Sequence, residues 1–481
     1  MRPHSRMGAG SMVNDPTPTP EGAISEAHAY LKVRLGERAT IARAVREQHS
    51  RGEGLGATFA PDIVVWPQSK EEVCDVLRCC HRLGVPVIPF GAGSSLEGHV
   101  SAPHGGVCVD LSRMDSVLAL HAEDGDCVVQ PGVTREGLNT FLKGTGLFFP
   151  VDPGANATIG GMVSTRASGT TTLRYGSMTQ NVLALEVALA DGRLIRLGTR
   201  ARKSSAGYDL VHLMIGAEGT LGVVTEITLR LHPLPEAVAA ASVAFPTLRD
   251  AIATVTELSM TGLPFARIEF LDEYQIRACN QFSKLGLAEM PTLFLEFHGN
   301  DSAVKEQSEL AQEVATSHGG VAFQWATHPE DRSLLWRARH MSYFAALAMR
   351  PGCSNVIADV CVPVSALAEC VGKAREEIDK AGLTAPILGH VGDGNFHVIF
   401  LPMPDAPEEL ASVNRVYSGI VAHALSLGGT CTGEHGIGLG KQAKLVDECG
   451  AEVVSLMGSI KRVWDPTGIL NPGKIFAGKI S

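Results

Sequence analysis

Apolar and polar positions change rhythm along the chain. Ile63-Val64-Val65-Trp66 is a short unbroken apolar run, the pattern of a buried strand. From Ser69 the period becomes helical. Val73, Val76, Leu77 and Cys80 fall on one face, Ser69 and Glu72 have capping-box spacing, and Gly84 supplies a stop. Val85 to Phe90 is again strand-like. The segment predicts β-α-β, the unit that builds parallel sheets. Further strands are expected at 106–111, 127–131, 182–190 and 222–231, punctuated by turns at Asp124-Gly125 and Asp191-Gly192. Leu31, Val33 and Leu35 among charges mark a helical lead-in over 20–56.

His232-Pro233-Leu234-Pro235 is a stiff break. Beyond it, helical periods at 249–261, 301–318, 331–349, 364–381 and 406–427 alternate with short strands at 265–270, 292–298, 356–362 and 396–401, an α+β pattern. The expected division is a lead-in at 1–56, one domain at 57–235, a second at 236–430, and a closing segment at 431–481.

Bulk properties narrow the function. The chain has 481 residues, 45% of them hydrophobic and 19% charged, which suits a globular protein of two or three domains. A net charge of -10 disfavours nucleic acid as a partner. Eleven cysteines without a C-x-x-C pair argue against an internal iron–sulfur cluster or zinc ribbon and fit buried thiols in a reducing compartment. No apolar run is long enough to span a membrane. The expected location is the cytoplasm, with peripheral attachment at the inner membrane as the alternative. Residues 1–19 carry Arg2 and Arg6 but lack the apolar core of a secretory signal. They read as a disordered start, with a weak transit peptide as the alternative.

Two regions carry chemistry. Gly91-Ala92-Gly93-Ser94-Ser95 follows the second strand. Its unobstructed N–H groups and two hydroxyls form a concave anion site suited to a pyrophosphate, although a plain tight turn would look the same. The glycine spacing is not that of a nicotinamide fingerprint, because Gly93 is followed by Ser94, Ser95 and Leu96. In the second half, Gly389-His390-Val391-Gly392-Asp393-Gly394-Asn395-Phe396-His397 reads as strand, turn, strand, a hairpin that brings His390 and His397 together. Gly433-Glu434-His435-Gly436-Ile437-Gly438 adds a carboxylate and a third imidazole. A lone buried histidine is usually satisfied by ordinary hydrogen bonds. Two imidazoles and a carboxylate framed by glycines instead suit a divalent metal with open positions: zinc, manganese or iron. Such a site polarises a substrate hydroxyl, and a neighbouring histidine takes its proton.

Four separated stretches together resemble the FAD-binding domain of the vanillyl-alcohol-oxidase superfamily. They are Phe90–Ser95, Pro150–Gly154 with Ala157–Ser164, Ala167–Gly169 with Arg174-Tyr175-Gly176, and Gly216–Thr225. The resemblance implies an α+β fold: a two-subdomain FAD-binding domain plus an α+β cap domain with an antiparallel sheet. It places Gly91, Ala92, Gly93, Ser94 and Ser95 on the pyrophosphate. Thr158, Gly160, Gly161, Val163, Glu218, Gly219, Gly222 and Val223 would line the adenine and isoalloxazine portions. Pro150, Asp152, Ser164, Gly169 and Asn471 complete the expected cofactor contacts. The glycine loop has no histidine, so the FAD is expected to be non-covalent.

The motifs G-H-x-G-D-G-N-x-H and G-E-H-G-I-G resemble those of the FAD-linked D-2-hydroxyacid dehydrogenases, and the likeness runs from about residue 55 to Lys474. It implies metal ligation by His390, His397 and Glu434, a catalytic base at His435, and hydride transfer to flavin N5. Leu335-Trp336-Arg337-Ala338-Arg339 resembles the segment whose arginine grips the substrate carboxylate. That role is placed on Arg339, with Arg337 the competitor. Ile357 and Ile399 stand where the 2-hydroxyglutarate enzymes carry a lysine and an asparagine. A second carboxylate would be unpaired there, so a short D-2-hydroxy acid is expected, D-lactate first. The alternatives are D-2-hydroxyglutarate, glycolate, or an electron-relay flavin subunit of a larger complex. The resemblance leaves a cytochrome, a quinone or an electron-transfer flavoprotein as acceptor, and a homodimer is expected.

Overall fold

The computed structural model describes residues 21–54 and 58–477; the reading of residues 1–19 falls outside them. Strand Ile63–Val65, helix Lys70–Leu83 and strand Val87–Phe90 form the expected β-α-β unit. Its two strands are not neighbours, because Val107–Asp110 inserts between them, parallel to both. Strand Ala39–Thr40 adds an antiparallel edge beside Ile63–Val65. Only half of the capping box forms. Ser69 accepts the Glu72 N–H at 3.3 Å, but the Glu72 carboxylate accepts from Gln68 N and pairs with Arg38. Gly84 closes the helix at φ 64°. In the lead-in helix Glu21–Leu35 the buried face is Ala27, Leu31 and Leu35, four residues apart, and Val33 is 85% exposed.

A second sheet completes this half. Its five strands run in the order Val117–His121, Asp126–Val129, Val223–Arg230, Val182–Ala188, Leu194–Gly198, all antiparallel. Two outer strands, Val117–His121 and Leu194–Gly198, were not expected. Their partly exposed patterns lack a strong apolar signal.

The second half is built on a seven-stranded antiparallel sheet ordered Val321–Ala326, Ala237–Ala244, Thr292–Gly299, Phe265–Leu271, Ile387–Gly389, Asn395–Phe400, Val356–Cys361. Strand periodicity sorts its side chains. Val243, Ile268, Phe270, Leu295, Val360, Val398 and Phe400 enter one large core, packed under helices that include Leu248–Met260, Leu367–Lys380 and Pro407–Ser426. The other face is covered in part by Glu273–Ser283, Pro329–His340 and Ser342–Ala348. The single helix expected at 331–349 is thus two helices broken at Met341. Alanine-rich Ala237–Ala244 and the helices Glu273–Ser283, Gln442–Cys449 and Ala451–Trp464 were not anticipated. The chain end returns to the first sheet, where Leu470 bridges Val87. No helix among the described residues is long and apolar enough to cross a membrane, and all eleven cysteines are free.

Candidate active site

One cavity of about 860 Å³ lies between the halves. It is lined by the glycine loop Gly91–Ser95, by Asp152, Thr158, Gly160, Gly161 and Ser164, by Glu218, Gly219, Gly222 and Asn471, and by Arg339, His390, His397, Glu434 and His435. It is at the upper end of small-molecule site volumes. Four expected cofactor residues do not line it. Val163 and Val223 are buried in the cores on either side, and strand alternation turns Val224 to the cavity instead. The Pro150 carbonyl accepts the Thr171 hydroxyl at 2.6 Å. Gly169 packs so tightly on Asp152 that a Cβ there would meet its carbonyl oxygen at 2.4 Å.

The first half of the cavity fits a large anionic cofactor. A Cβ at Gly91 would stand 2.2 Å from Thr158 Oγ1, so only glycine keeps this wall open. The Ser95 hydroxyl and His99 Nδ1 are buried with no hydrogen-bond partner among the described residues, and both residues line the cavity. Glu218 serves a second purpose. It sits in the left-handed region at φ 52°, and its carboxylate accepts the N–H groups of Ile437 and Gly438 at 2.8 and 2.9 Å. It therefore ties the loop after His435 to the first half.

The histidine hairpin forms as expected, with Leu388 opposite His397 in register. The His390 and His397 rings lie 5.5 Å apart at 88°. Their Nε2 atoms approach Glu434 Oε1 at 3.3 and 3.2 Å. Donor atoms around a tetrahedral ion with bonds near 2.0–2.1 Å are separated by about 3.3 Å. The three side chains therefore have the spacing to hold a divalent ion. Burial alone would lower the His390 pKa, but Glu269 and Glu434 outweigh it and raise it well above its ordinary value. Burial opposes ionisation of Glu434, but His390 and His397 hold its carboxyl well below the usual range. Ser168 donates to Glu434 Oε2 at 2.8 Å, a contact from the first half onto the carboxylate.

His435 stacks on His397 with ring centroids 5.1 Å apart and planes 3° from parallel. Its backbone N–H and that of Glu434 both donate to the buried Asp359 carboxylate, at 2.9 and 3.0 Å. Burial pushes the His435 pKa down to about 4, against the pull of Asp359. Burial likewise opposes ionisation of Asp359, but His435, Lys441 and His397 hold it far below the carboxylate range. Of the two arginines considered, Arg337 is exposed, while Arg339 faces the cavity. Arg339 Nε donates to Glu269 at 2.6 Å.

Glu269, Asp359, Ser168 and the cavity-lining Arg267, whose guanidinium lies 3.2 Å from Glu296 and 3.5 Å from Asp152, are polar groups that the sequence reading did not single out. A signal existed for three of them. Arg267 and Glu269 alternate inside the apolar run Phe265–Leu271, and Asp359 interrupts Val356–Cys361. A charge inside a buried strand needs a partner, and such partners collect at sites. Ser168 gives no such signal from its own neighbourhood.

Residues 61–198 match the family model described as FAD binding domain, and residues 234–475 match FAD linked oxidases, C-terminal domain. The chain is 47% identical over 450 residues to the Danio rerio protein named "Probable D-lactate dehydrogenase, mitochondrial", covering 93% of this chain and 90% of that one. It is 46% identical over 419 residues to "D-lactate dehydrogenase [cytochrome], mitochondrial" of Arabidopsis thaliana, covering 87% and 74%. It is 32% identical over 421 residues to "Glycolate oxidase subunit GlcD" of Bacillus subtilis (strain 168), covering 87% and 89%. In fold it is similar to 4-ethylphenol oxidase from Gulosibacter chungangensis, with TM-score 0.79 at 19% identity, covering 96% of this chain and 98% of that one. The chain therefore belongs to the FAD-linked oxidases, in the group of FAD-dependent D-2-hydroxyacid dehydrogenases.

Proposed function

We propose that this protein oxidises a short D-2-hydroxy acid, D-lactate first, to the 2-oxo acid. FAD is held non-covalently, and a divalent ion is held by His390, His397 and Glu434. The observation that carries this reading is one cavity bordered by the glycine loop, the His-His-Glu cluster, His435 and Arg339. The bound groups would supply a hydride acceptor at flavin N5 and a Lewis acid for the 2-hydroxyl.

The chain's own residues do the rest. Arg339 uses Nε on Glu269 and keeps its terminal nitrogens for the substrate carboxylate, a match of planar fork to planar anion. His435, with its pKa near 4, is neutral at ordinary pH and free to take the hydroxyl proton. Its Nδ1 lies 3.9 Å from Asp359 and 4.0 Å from Glu97. Asp359 behind the ring offsets part of the burial cost of the imidazolium formed by proton uptake, and the proton transfer is assigned to the other nitrogen, Nε2. Ile357 and Ile399 give the substrate tail an apolar wall, which disfavours D-2-hydroxyglutarate. The glycolate-oxidase relative keeps glycolate, and a relay role within a larger complex, as the second reading.

The bracketed word in the Arabidopsis relative's name supports a cytochrome as acceptor ahead of a quinone or an electron-transfer flavoprotein. Such an acceptor supports peripheral attachment at an inner membrane over a cytoplasmic location, and no described helix is long and apolar enough to cross a membrane. Turnover on D-lactate, L-lactate, glycolate and D-2-hydroxyglutarate, each with an artificial dye and with cytochrome c, tests the reading. The highest kcat/KM is expected for D-lactate, and no turnover of any of the four would refute it.

A further inference from the structure

The carboxylate of Glu269 belongs to neither the metal cluster nor the substrate clamp, yet it touches both. It lies on strand Phe265–Leu271, is 0% exposed, and faces away from the core that its neighbours Ile268 and Phe270 enter. One oxygen accepts from Arg339 Nε at 2.6 Å. The other is 2.7 Å from His390 Nδ1. These two partners come from distant segments, the helix Pro329–His340 and the turn after strand Ile387–Gly389. The turn is held close because Phe270 pairs with Gly389 in the sheet.

A fully buried carboxylate is costly unless each oxygen is satisfied by a good donor. Glu269 meets that condition with these two groups. A carboxylate that accepts from the Arg339 guanidinium on one oxygen accepts from His390 on the other, which puts a His390 proton on Nδ1. With Nδ1 held by Glu269, Nε2 is the nitrogen turned toward Glu434, at 3.3 Å. The same carboxylate occupies Arg339 Nε and so sets the plane in which the other guanidinium nitrogens point. Arg339 Nη2 lies 3.5 Å from His390 Nε2, which shows how closely the two functions abut.

We infer that Glu269 is a positioning residue: it fixes the tautomer and aim of the ligand His390 and, through its second oxygen, the orientation of Arg339. The inference rests on the metal and carboxylate roles proposed above. It adds that both depend on one buried side chain that contacts neither ion nor substrate. Outer-shell partners of metal-bound histidine typically contribute 10–100-fold to metal affinity. Because Glu269 serves two groups, its loss should weaken metal binding and raise KM for the hydroxy acid together.

The test uses FAD-loaded full-length protein, wild type, E269Q and E269D. The amide of E269Q keeps the shape but offers one acceptor oxygen in place of two. The shorter E269D keeps the charge but cannot reach both partners, and it serves if E269Q does not retain FAD. Zinc and manganese affinities are read by competition with a chromophoric chelator in the absence of substrate, and KM and kcat for D-lactate are read at saturating metal. The expected result is metal affinity weaker by roughly 10–100-fold and a raised KM, with flavin content and melting temperature close to wild type. Unchanged metal affinity and KM in a variant that retains FAD would overturn the inference while leaving the proposed function standing. A wild-type protein that binds neither metal would overturn the metal reading, and this inference with it.

Discussion

Ile357 lies directly across from Ile399 in the antiparallel pair Val356–Cys361 and Asn395–Phe400, and both side chains border the cavity. Two residues along on the same face, Asp359 faces His397. The strand pair therefore presents an apolar end and a polar end to the cavity, which the proposed function assigns to the substrate tail and to the chemistry. Ile357→Lys places an ammonium opposite Ile399. The kcat/KM ratio of D-2-hydroxyglutarate to D-lactate should rise by at least about tenfold, the value of one modest charge-assisted contact. An unchanged ratio would mean that the tail does not reach this strand pair.

His435→Ala removes the proton acceptor without touching the glycine loop. Flavin reduction by D-lactate should slow by roughly 10²–10⁴-fold, the usual worth of a general base, with FAD content unchanged. Rapid-mixing absorbance measures the step directly, and reduction at the wild-type rate would remove His435 from the mechanism.

Removal of the ion should separate binding of flavin from chemistry. Dialysis against a chelator is expected to abolish turnover while the flavin spectrum persists, and added zinc or manganese should restore it. Ser168→Ala should loosen the metal by about tenfold or more, because Ser168 donates to Glu434 Oε2 at 2.8 Å. Full activity after chelation would exclude a metal role for His390, His397 and Glu434.

A pH effect on stability follows from Lys474. Its ammonium is buried and donates to Ser101 O at 2.6 Å and Asn471 Oδ1 at 3.2 Å. Burial pushes its pKa from 10.5 down to about 7. Between about pH 7 and 10.5 the unfolded chain binds a proton that the folded chain does not. Stability from this group therefore rises with pH across that window, and the cost of the buried charge is fully present below it. Comparing melting temperatures of wild type and Lys474→Met from pH 7 to 9.5 isolates the group. The wild type should gain relative to the variant as pH rises, and parallel curves would contradict this.

Much of the proposed site was legible in the sequence because the residues proposed as ligands sit in short, glycine-framed motifs. His390 and His397 come together through a local hairpin, and Glu434 and His435 are adjacent. The β-α-β start was legible for the same reason, since periodicity is a local signal. What escaped depends on distant pairing. Val107–Asp110 enters between two strands that the sequence reading placed as one unit. Ala237–Ala244 forms a strand only because Thr292–Gly299 and Val321–Ala326 flank it, its alanines having little strand preference. Ser168 reaches Glu434 across 266 residues of sequence, and Glu269 gathers Arg339 and His390 across 70 and 121. The side chains of Val163, on the buried face of helix Ile159–Thr165, and of Val223, at the start of strand Val223–Arg230, turn to the cores, a choice of face that depends on what packs against each element.

The most direct test of the central claim is anaerobic mixing of the FAD-loaded, metal-loaded protein with D-lactate, L-lactate, glycolate and D-2-hydroxyglutarate in turn, following flavin absorbance near 450 nm. Fast bleaching by D-lactate, and not by its enantiomer, is the expected result. Bleaching by D-2-hydroxyglutarate alone would contradict the apolar-wall argument, and bleaching by none of the four would contradict the assignment of this cavity to D-2-hydroxy acid oxidation.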